Sequence, residues 1–228
     1  MAARGLFVTG TDTGVGKTVV ACGLARALVA AGHRVGVLKP VASGSDRTPA
    51  GLRNEDALRL LECANLGQSY AEANPYCFEP PISPHIAADE AGIVVDLHRI
   101  ADVYAGIAAR ADWVVVEGAG GWLAPVGPQA VMADLARALG LPALLVVGLR
   151  LGCLSHATLT RESIAARGSP FAGWVGSAVD REFARPAQNL ARLRQVLGEP
   201  LELVPHLAPG EAVTLQSAVR GLAAPLSA

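Results

Sequence analysis

Lysine is nearly absent. Of the 19 basic residues in the 228-residue chain, seventeen are arginines and only Lys17 and Lys39 are lysines. A compact ammonium and a planar guanidinium are not interchangeable at a tight anion site, so the two surviving lysines point to such a site. Aromatic residues are scarce at 4%, while alanine is abundant, which suits helices packed closely on a sheet. Cys22, Cys63, Cys77 and Cys153 form no C-x-x-C pair, and buried free thiols are expected rather than a disulfide or redox centre. His33, His85, His98, His156 and His206 lack metal-ligand spacing, which argues against zinc. No apolar run has the length of a membrane span, and the opening MAARGLF carries no signal-peptide core, so a cytoplasmic location is expected. A formal net charge of −1 gives no reason to expect nucleic acid or a membrane surface as partner.

What is present is concentrated at residues 5–20, GLFVTGTDTGVGKTVV. A short apolar run enters a loop rich in Gly and Thr, followed by Lys17, Thr18 and a helix-forming stretch. Strand, loop and helix in that order is the setting of a phosphate-binding P-loop. Gly14 and Gly16 free backbone N–H groups to point inward, and the positive end of the helix dipole adds to their attraction for phosphate oxygens. Lys17 is expected to reach the terminal phosphates and the Thr18 hydroxyl to ligate Mg²⁺. The literal pattern G-x-x-x-x-G-K-[ST] would put its first glycine at Thr11, one residue after Gly10. The alternative, a glycine-rich turn with a chance GKT, is disfavoured by the strand before and the helix after. A nucleoside triphosphate is the expected ligand.

Apolar runs alternate with helical patterns along the chain, which predicts βαβ units and a mostly parallel sheet flanked by helices on both faces. The expected strands lie at residues 6–8, 34–38, 113–117, 143–149, 171–177 and 201–204. The expected helices lie at 19–32, then at 54–65, 95–110, 132–139, 156–167, 185–197 and 211–222, with Asn54 as an N-cap. Residues 41–53 read as a loop, and the Pro-rich stretch 74–85 as an ordered loop or lid. No repeat or linker divides the sequence, so one domain spanning 1–228 is expected.

In a parallel sheet, ligands bind beyond the carboxyl ends of the strands. The P-loop, the stretch 39–43 (KPVAS), residues 117–120 (EGAG) and the turn at 150–156 all fall there. Glu117 closes a buried strand, the position from which an acidic residue holds Mg²⁺ in P-loop enzymes. Asp56 sits in a helical first turn, where acids are favoured anyway, so the residues alone leave its role open. Lys39, stiffened by Pro40 and followed by Ser43, reads as a group aimed into the cleft. Residues 152–156 open a helix whose N–H groups suit a carboxylate or phosphate, with Ser155 as the cap; an ordinary capped helix is the other reading.

Read in order, TGTDTGVGKT, KPVASGS, GLRNEDA, NPYCFEPPISPH, VEGAGGW, LGCLSH and AGWV closely resemble the dethiobiotin synthetase family from residue 7 to about residue 175. The resemblance implies a homodimeric P-loop ligase that joins 7,8-diaminopelargonic acid and CO₂ at the expense of ATP, with Mg²⁺, giving dethiobiotin, ADP and phosphate. Within that resemblance Lys17 and Lys39 supply cationic stabilisation, and Thr18, Asp56 and Glu117 hold Mg²⁺. Thr13 and Ser43 position the diamine or its carbamate. Gly14, Val15, Gly16, Val19, Gly118, Ala119 and Gly120 surround the nucleotide phosphates. Gly152, Cys153, Leu154 and Ser155 of a second subunit receive the substrate's distant carboxylate. Pro205, His206 and Leu207 border the base. The chain departs from the family pattern at Gly14, where an acidic residue is usual, at Arg150, often a lysine, and at Ser177, where many members carry an adenine-reading Asn. Positioning ATPases of the same P-loop branch carry a signature lysine early in the loop, and Asp12 stands there instead. Related amidating synthetases need a further glutamine-hydrolysing domain, for which 228 residues leave no room.

Overall fold

Six apolar runs line up as one parallel sheet in the computed structural model, which describes residues 3–208 and 211–223. The chain runs β1 (Arg4–Gly10), α1 (Lys17–Ala30), β2 (Val35–Leu38), β3 (Val41–Ala42), β4 (Asp46–Thr48), β5 (Gly51–Arg53) and α2 (Glu55–Cys63). It continues with α3 (Tyr70–Ala73), β6 (Tyr76–Cys77), α4 (Pro84–Glu90), α5 (Leu97–Ala108), β7 (Trp113–Glu117) and α6 (Met132–Ala138). It ends with β8 (Ala143–Gly148), α7 (Cys153–Ala166), β9 (Phe171–Ser177), α8 (Pro186–Leu197), β10 (Glu202–Val204) and α9 (Gln216–Ala223). The strand order is β10-β9-β8-β1-β7-β2, with every neighbouring pair parallel.

Successive side chains of a strand point to opposite faces, and both faces here are covered by helices, so the strands are apolar throughout. In β1, Leu6 and Val8 join Leu24, Leu28 and Leu60 of α1 and α2, while Phe7 turns to the other side. There it meets Val114 and Val116 of β7 and Met132 and Leu135 of α6. The parallel arrangement brings the carboxyl ends of all six strands to one edge, where the connecting loops gather.

The structure adds detail that the sequence pattern lacked. Residues 41–53 are not simply a loop. They hold β3, which pairs with β6, and the small hairpin of β4 and β5. That hairpin has no buried face to leave an alternating signature, and it turns at Gly51 with φ +97°. The stretch 74–85 likewise contains β6 and the start of α4, which opens on Pro84. Helix α7 begins at Cys153 behind Gly152, whose φ of +93° ends the preceding turn. The expected Ser155 cap therefore lies inside the first turn, and no side chain caps this helix. The closing helix starts at Gln216, later than its pattern suggested.

Candidate active site

The P-loop follows from where its glycines are forced. Gly14 and Gly16 adopt φ values of +71° and +90°, in the left-handed region that side-chained residues avoid. A Cβ on Gly16 would lie 2.6 Å from the Ser177 hydroxyl, so the loop runs against the end of β9. Val15 is buried beneath the loop, close to Gly10 and Gly148. Lys17 opens α1 and donates from Nζ to the Asp12 carbonyl at 2.9 Å. Burial and the nearby Lys39 charge lower its pKa to about 8. No side chain caps α1, so its first N–H groups remain free of side-chain partners.

Beside the loop, three elements deliver a compact group of charges. Asp56 comes from the first turn of α2, whose start is fixed by Asn54: the side chain of that residue accepts from the Ala57 N–H. Glu117 ends β7 and is fully buried. Lys39 follows β2. The Thr18 hydroxyl lies 2.8 Å from Asp56 Oδ1 and 2.9 Å from Glu117 Oε1. Lys39 Nζ lies 2.9 Å from Asp56 Oδ2, 2.7 Å from Glu117 Oε1 and 3.4 Å from the Gly118 carbonyl. Burial works against the Lys39 charge, but Glu117 and Asp56 outweigh it and hold its pKa above the usual value. Burial also opposes ionisation of Asp56, yet Lys39 and Thr18 keep that carboxyl below its ordinary range. For Glu117, burial prevails and raises the pKa despite Lys39.

These groups face a cavity of about 860 Å³. Thr13, Gly14, Gly16, Lys17, Thr18 and Val19 of the loop and α1 line it together with Lys39, Ser43, Asp56, Glu117, Ala119 and Gly120. Pro81, Ile82, Ser83 and Pro84 also line the cavity, so the Pro-rich stretch borders it. Val15 lies under the loop, and Gly118 contributes the carbonyl that Lys39 meets. Ser177 is buried behind Gly16. Beyond β10, Pro205 and His206 are exposed and Leu207 half-buried, with Arg181 Nε donating to His206 Nδ1 at 3.2 Å. Gly152, Cys153, Leu154 and Ser155 stand outside the cavity at the head of α7. Just before them, Arg150 forms an ion pair with Asp12 of the P-loop. Sequence reasoning did not single out three cavity-lining residues: Arg59, Ala124 and, beyond its capping role, Asn54.

The donor set suits a hard divalent cation. Two carboxylates and a hydroxyl converge, and Glu117 Oε2 is buried with no hydrogen-bond partner of its own. Among the described residues no three His, Cys, Asp or Glu side chains form a cluster for a metal. A cation here would complete its shell with substrate phosphates and water, as Mg²⁺ commonly does.

A parallel sheet that delivers a Gly-rich loop, Lys17, Thr18 and a strand-end carboxylate to one edge defines the P-loop nucleotide-dependent fold. Solved structures agree at the level of fold. The MinD cell division protein of Aquifex aeolicus superposes with a TM-score of 0.59 at 15% identity, covering 96% of each chain. A ParA family ATPase of Chlorobium tepidum gives 0.56 at 17% identity, covering 99% of this chain and 95% of that one. The family model described as an AAA domain matches residues 4–209. The ATP-dependent dethiobiotin synthetase BioD of Pseudomonas paraeruginosa is 50% identical over 204 residues, covering 89% of this chain and 90% of that protein. Its counterpart in Aromatoleum aromaticum is 44% identical over 218 residues, covering 95% and 97%. The chain belongs to the dethiobiotin synthetase family.

Proposed function

We propose that the chain, acting as a single ligase unit over 1–228, closes the ureido ring of dethiobiotin from 7,8-diaminopelargonic acid, CO₂ and ATP. One observation carries the reading: a buried ammonium, Lys39, held between two carboxylates at the mouth of a phosphate-binding loop. The chemistry needs charge placed this way. A substrate amine adds to CO₂, losing a proton and forming a carbamate. A carbamate oxygen then attacks the γ-phosphorus and ADP departs. The second amine attacks the carbonyl carbon of the mixed anhydride, the ring closes and phosphate leaves. Negative charge grows on phosphoryl oxygens in the middle step, where fixed cations stabilise it most.

Lys17 and the free N–H groups of the loop would grip the β- and γ-phosphates. Lys39 would meet the carbamate and the transferring phosphoryl group. Thr13 and Ser43, on the cavity wall, would orient the diamine. Thr18, Asp56 and Glu117 would hold Mg²⁺, which when bound neutralises phosphate charge and aligns the leaving group. The 152–155 segment would act in a homodimer, with the free N–H groups of one copy's α7 receiving the carboxylate of substrate bound to the other copy. Ser177 and residues 205–207 would border the base. No helix among the described residues is long and apolar enough to cross a membrane, which fits the cytoplasmic location we propose.

The test is direct. Purified protein supplied with the diamine, bicarbonate, ATP and Mg²⁺ should form dethiobiotin and ADP in equal amounts. ATP hydrolysis without dethiobiotin would overturn the reading.

A further inference from the structure

The ion pair between Lys39 and Asp56 joins two elements, the end of β2 and the start of α2. A second connection joins the same two elements without using either charge. Asn74 Nδ2 donates to the Lys39 carbonyl at 2.7 Å and to the Tyr76 carbonyl at 3.1 Å. The Lys39 N–H donates to the Ala73 carbonyl at 2.7 Å, so the end of α3 grips the lysine's backbone on both sides. Asn74 Oδ1 accepts from the Tyr70 hydroxyl at 2.9 Å. That hydroxyl in turn accepts from the Asn54 N–H at 2.7 Å. Asn54 caps α2 two residues before Asp56, and its Nδ2 faces the Ser43 and Gly44 carbonyls at 3.4 and 3.3 Å. Asn54 and Asn74 are 5% and 4% exposed, so water offers neither a ready replacement for a lost partner. Tyr70 itself is braced by the Arg53 guanidinium, 4.2 Å from its ring centroid.

We propose that Tyr70 is a positioning residue: its hydroxyl sets the distance between Lys39 and Asp56, and with it the stance of Ser43. A phenol suits this place because it accepts from one buried group and donates to another at once. Phenylalanine would keep the ring and the Arg53 contact but leave the Asn54 N–H and Asn74 Oδ1 unpaired. The link between Lys39 and α2 would then rest on the ion pair and on the long Asn54 Nδ2 contacts to Ser43 and Gly44, and the long lysine side chain tolerates several arrangements. The inference rests on the ligase reading for its effect on turnover, though not for its effect on the cation site.

The experiment compares the unmodified chain with Tyr70→Phe and Cys77→Ala. Cys77 lies 3.4 Å from the same hydroxyl but is not part of the link from Lys39 to Asn54. Three readings are taken: kcat for dethiobiotin formation, Mn²⁺ affinity of the ATP complex by electron paramagnetic resonance, and ATP affinity in EDTA. Supporting groups around a metal site typically cost about 10- to 100-fold in metal affinity or activity when removed. Tyr70→Phe should therefore lower kcat and Mn²⁺ affinity by about tenfold each. Metal-free ATP affinity should hold within about twofold, because the P-loop is untouched. Cys77→Ala should change none of the three. A Tyr70→Phe protein that melts earlier while keeping kcat and Mn²⁺ affinity would overturn the proposal. So would equal losses in Cys77→Ala. If Tyr70→Phe does not fold, Asn74→Ser breaks the same link at its other end and is held to the same outcomes. An unmodified chain that makes no dethiobiotin would fail the ligase reading alone, since the Mn²⁺ comparison still decides the role of Tyr70.

Discussion

The phosphate end of the site and its proposed base end are built in opposite ways. At the phosphate end Lys39, Asp56 and Glu117 are each held by two or more partners, and Glu117 and Lys39 are 0% and 4% exposed. At the base end, Ser177 offers one short hydroxyl behind Gly16, and Pro205 and His206 lie in the open. Burying ions is costly unless each is paired and hydrogen-bonded, so a fold keeps such a cluster only where the charges do work. On the proposed placement of the nucleotide, the difference implies a site that invests in the transferring phosphoryl group and little in naming the base.

The largest effect that could break this contrast is expected at Lys39. Lys39→Arg keeps the charge, but a planar fork replaces a compact ammonium that sits among Asp56, Glu117 and the Gly118 carbonyl. Turnover should fall at least ~10²-fold, the scale of losing one transition-state donor. Near-normal turnover would remove Lys39 from the mechanism. Glu117→Gln comes next. It removes a charge that both Lys39 and the proposed cation require, while the amide retains the shape of the carboxylate. The Mg²⁺ concentration at half-maximal rate should rise by about 10- to 100-fold, with the far-ultraviolet circular dichroism unchanged. An unaltered Mg²⁺ titration would make Glu117 a purely structural charge. A smaller effect concerns assembly. If 152–155 of a second copy completes the site, specific activity should fall on dilution in step with the dimer fraction measured by sedimentation. A fully active monomer would show that each chain is complete by itself.

Much of this was legible in the residues. The strands 113–117 and 171–177 coincide with β7 and β9, because unbroken apolar runs buried on both faces have few alternatives. Thr18, Asp56, Lys39 and Glu117 meet at one point, with Lys17 lining the same cavity, because the loops and helices that carry them follow parallel strands whose carboxyl ends share one edge. Asn54 caps α2 as expected, since an Asn before a helical pattern supplies the acceptor that the first turn needs. The short elements were not legible. The hairpin of β4 and β5 buries too little to leave a periodic pattern. Helix α3 did leave a signal, the capping box of Ser69 and Glu72, which a reading by apolar spacing passes over. Missing α3 also hid Tyr70 and Asn74, whose importance lies in hydrogen bonds to backbone groups distant in sequence.

The contrast between the two ends is tested most directly by the choice of nucleotide. An Asn side chain offers an acceptor and two donors and can meet the N6 amine and N7 of adenine together, which the single hydroxyl of Ser177 cannot. By analogy with base readout in nucleic acids, losing such a pair costs about 1–3 kcal/mol, or roughly 5- to 150-fold in selectivity. The phosphate contacts are the same for every nucleoside triphosphate. Measured as kcat/KM at saturating diamine and Mg²⁺, CTP and GTP should each come within about tenfold of ATP. A preference for ATP beyond a hundredfold would contradict the account, because it would require another group in this chain to read adenine as firmly as the loop holds phosphate.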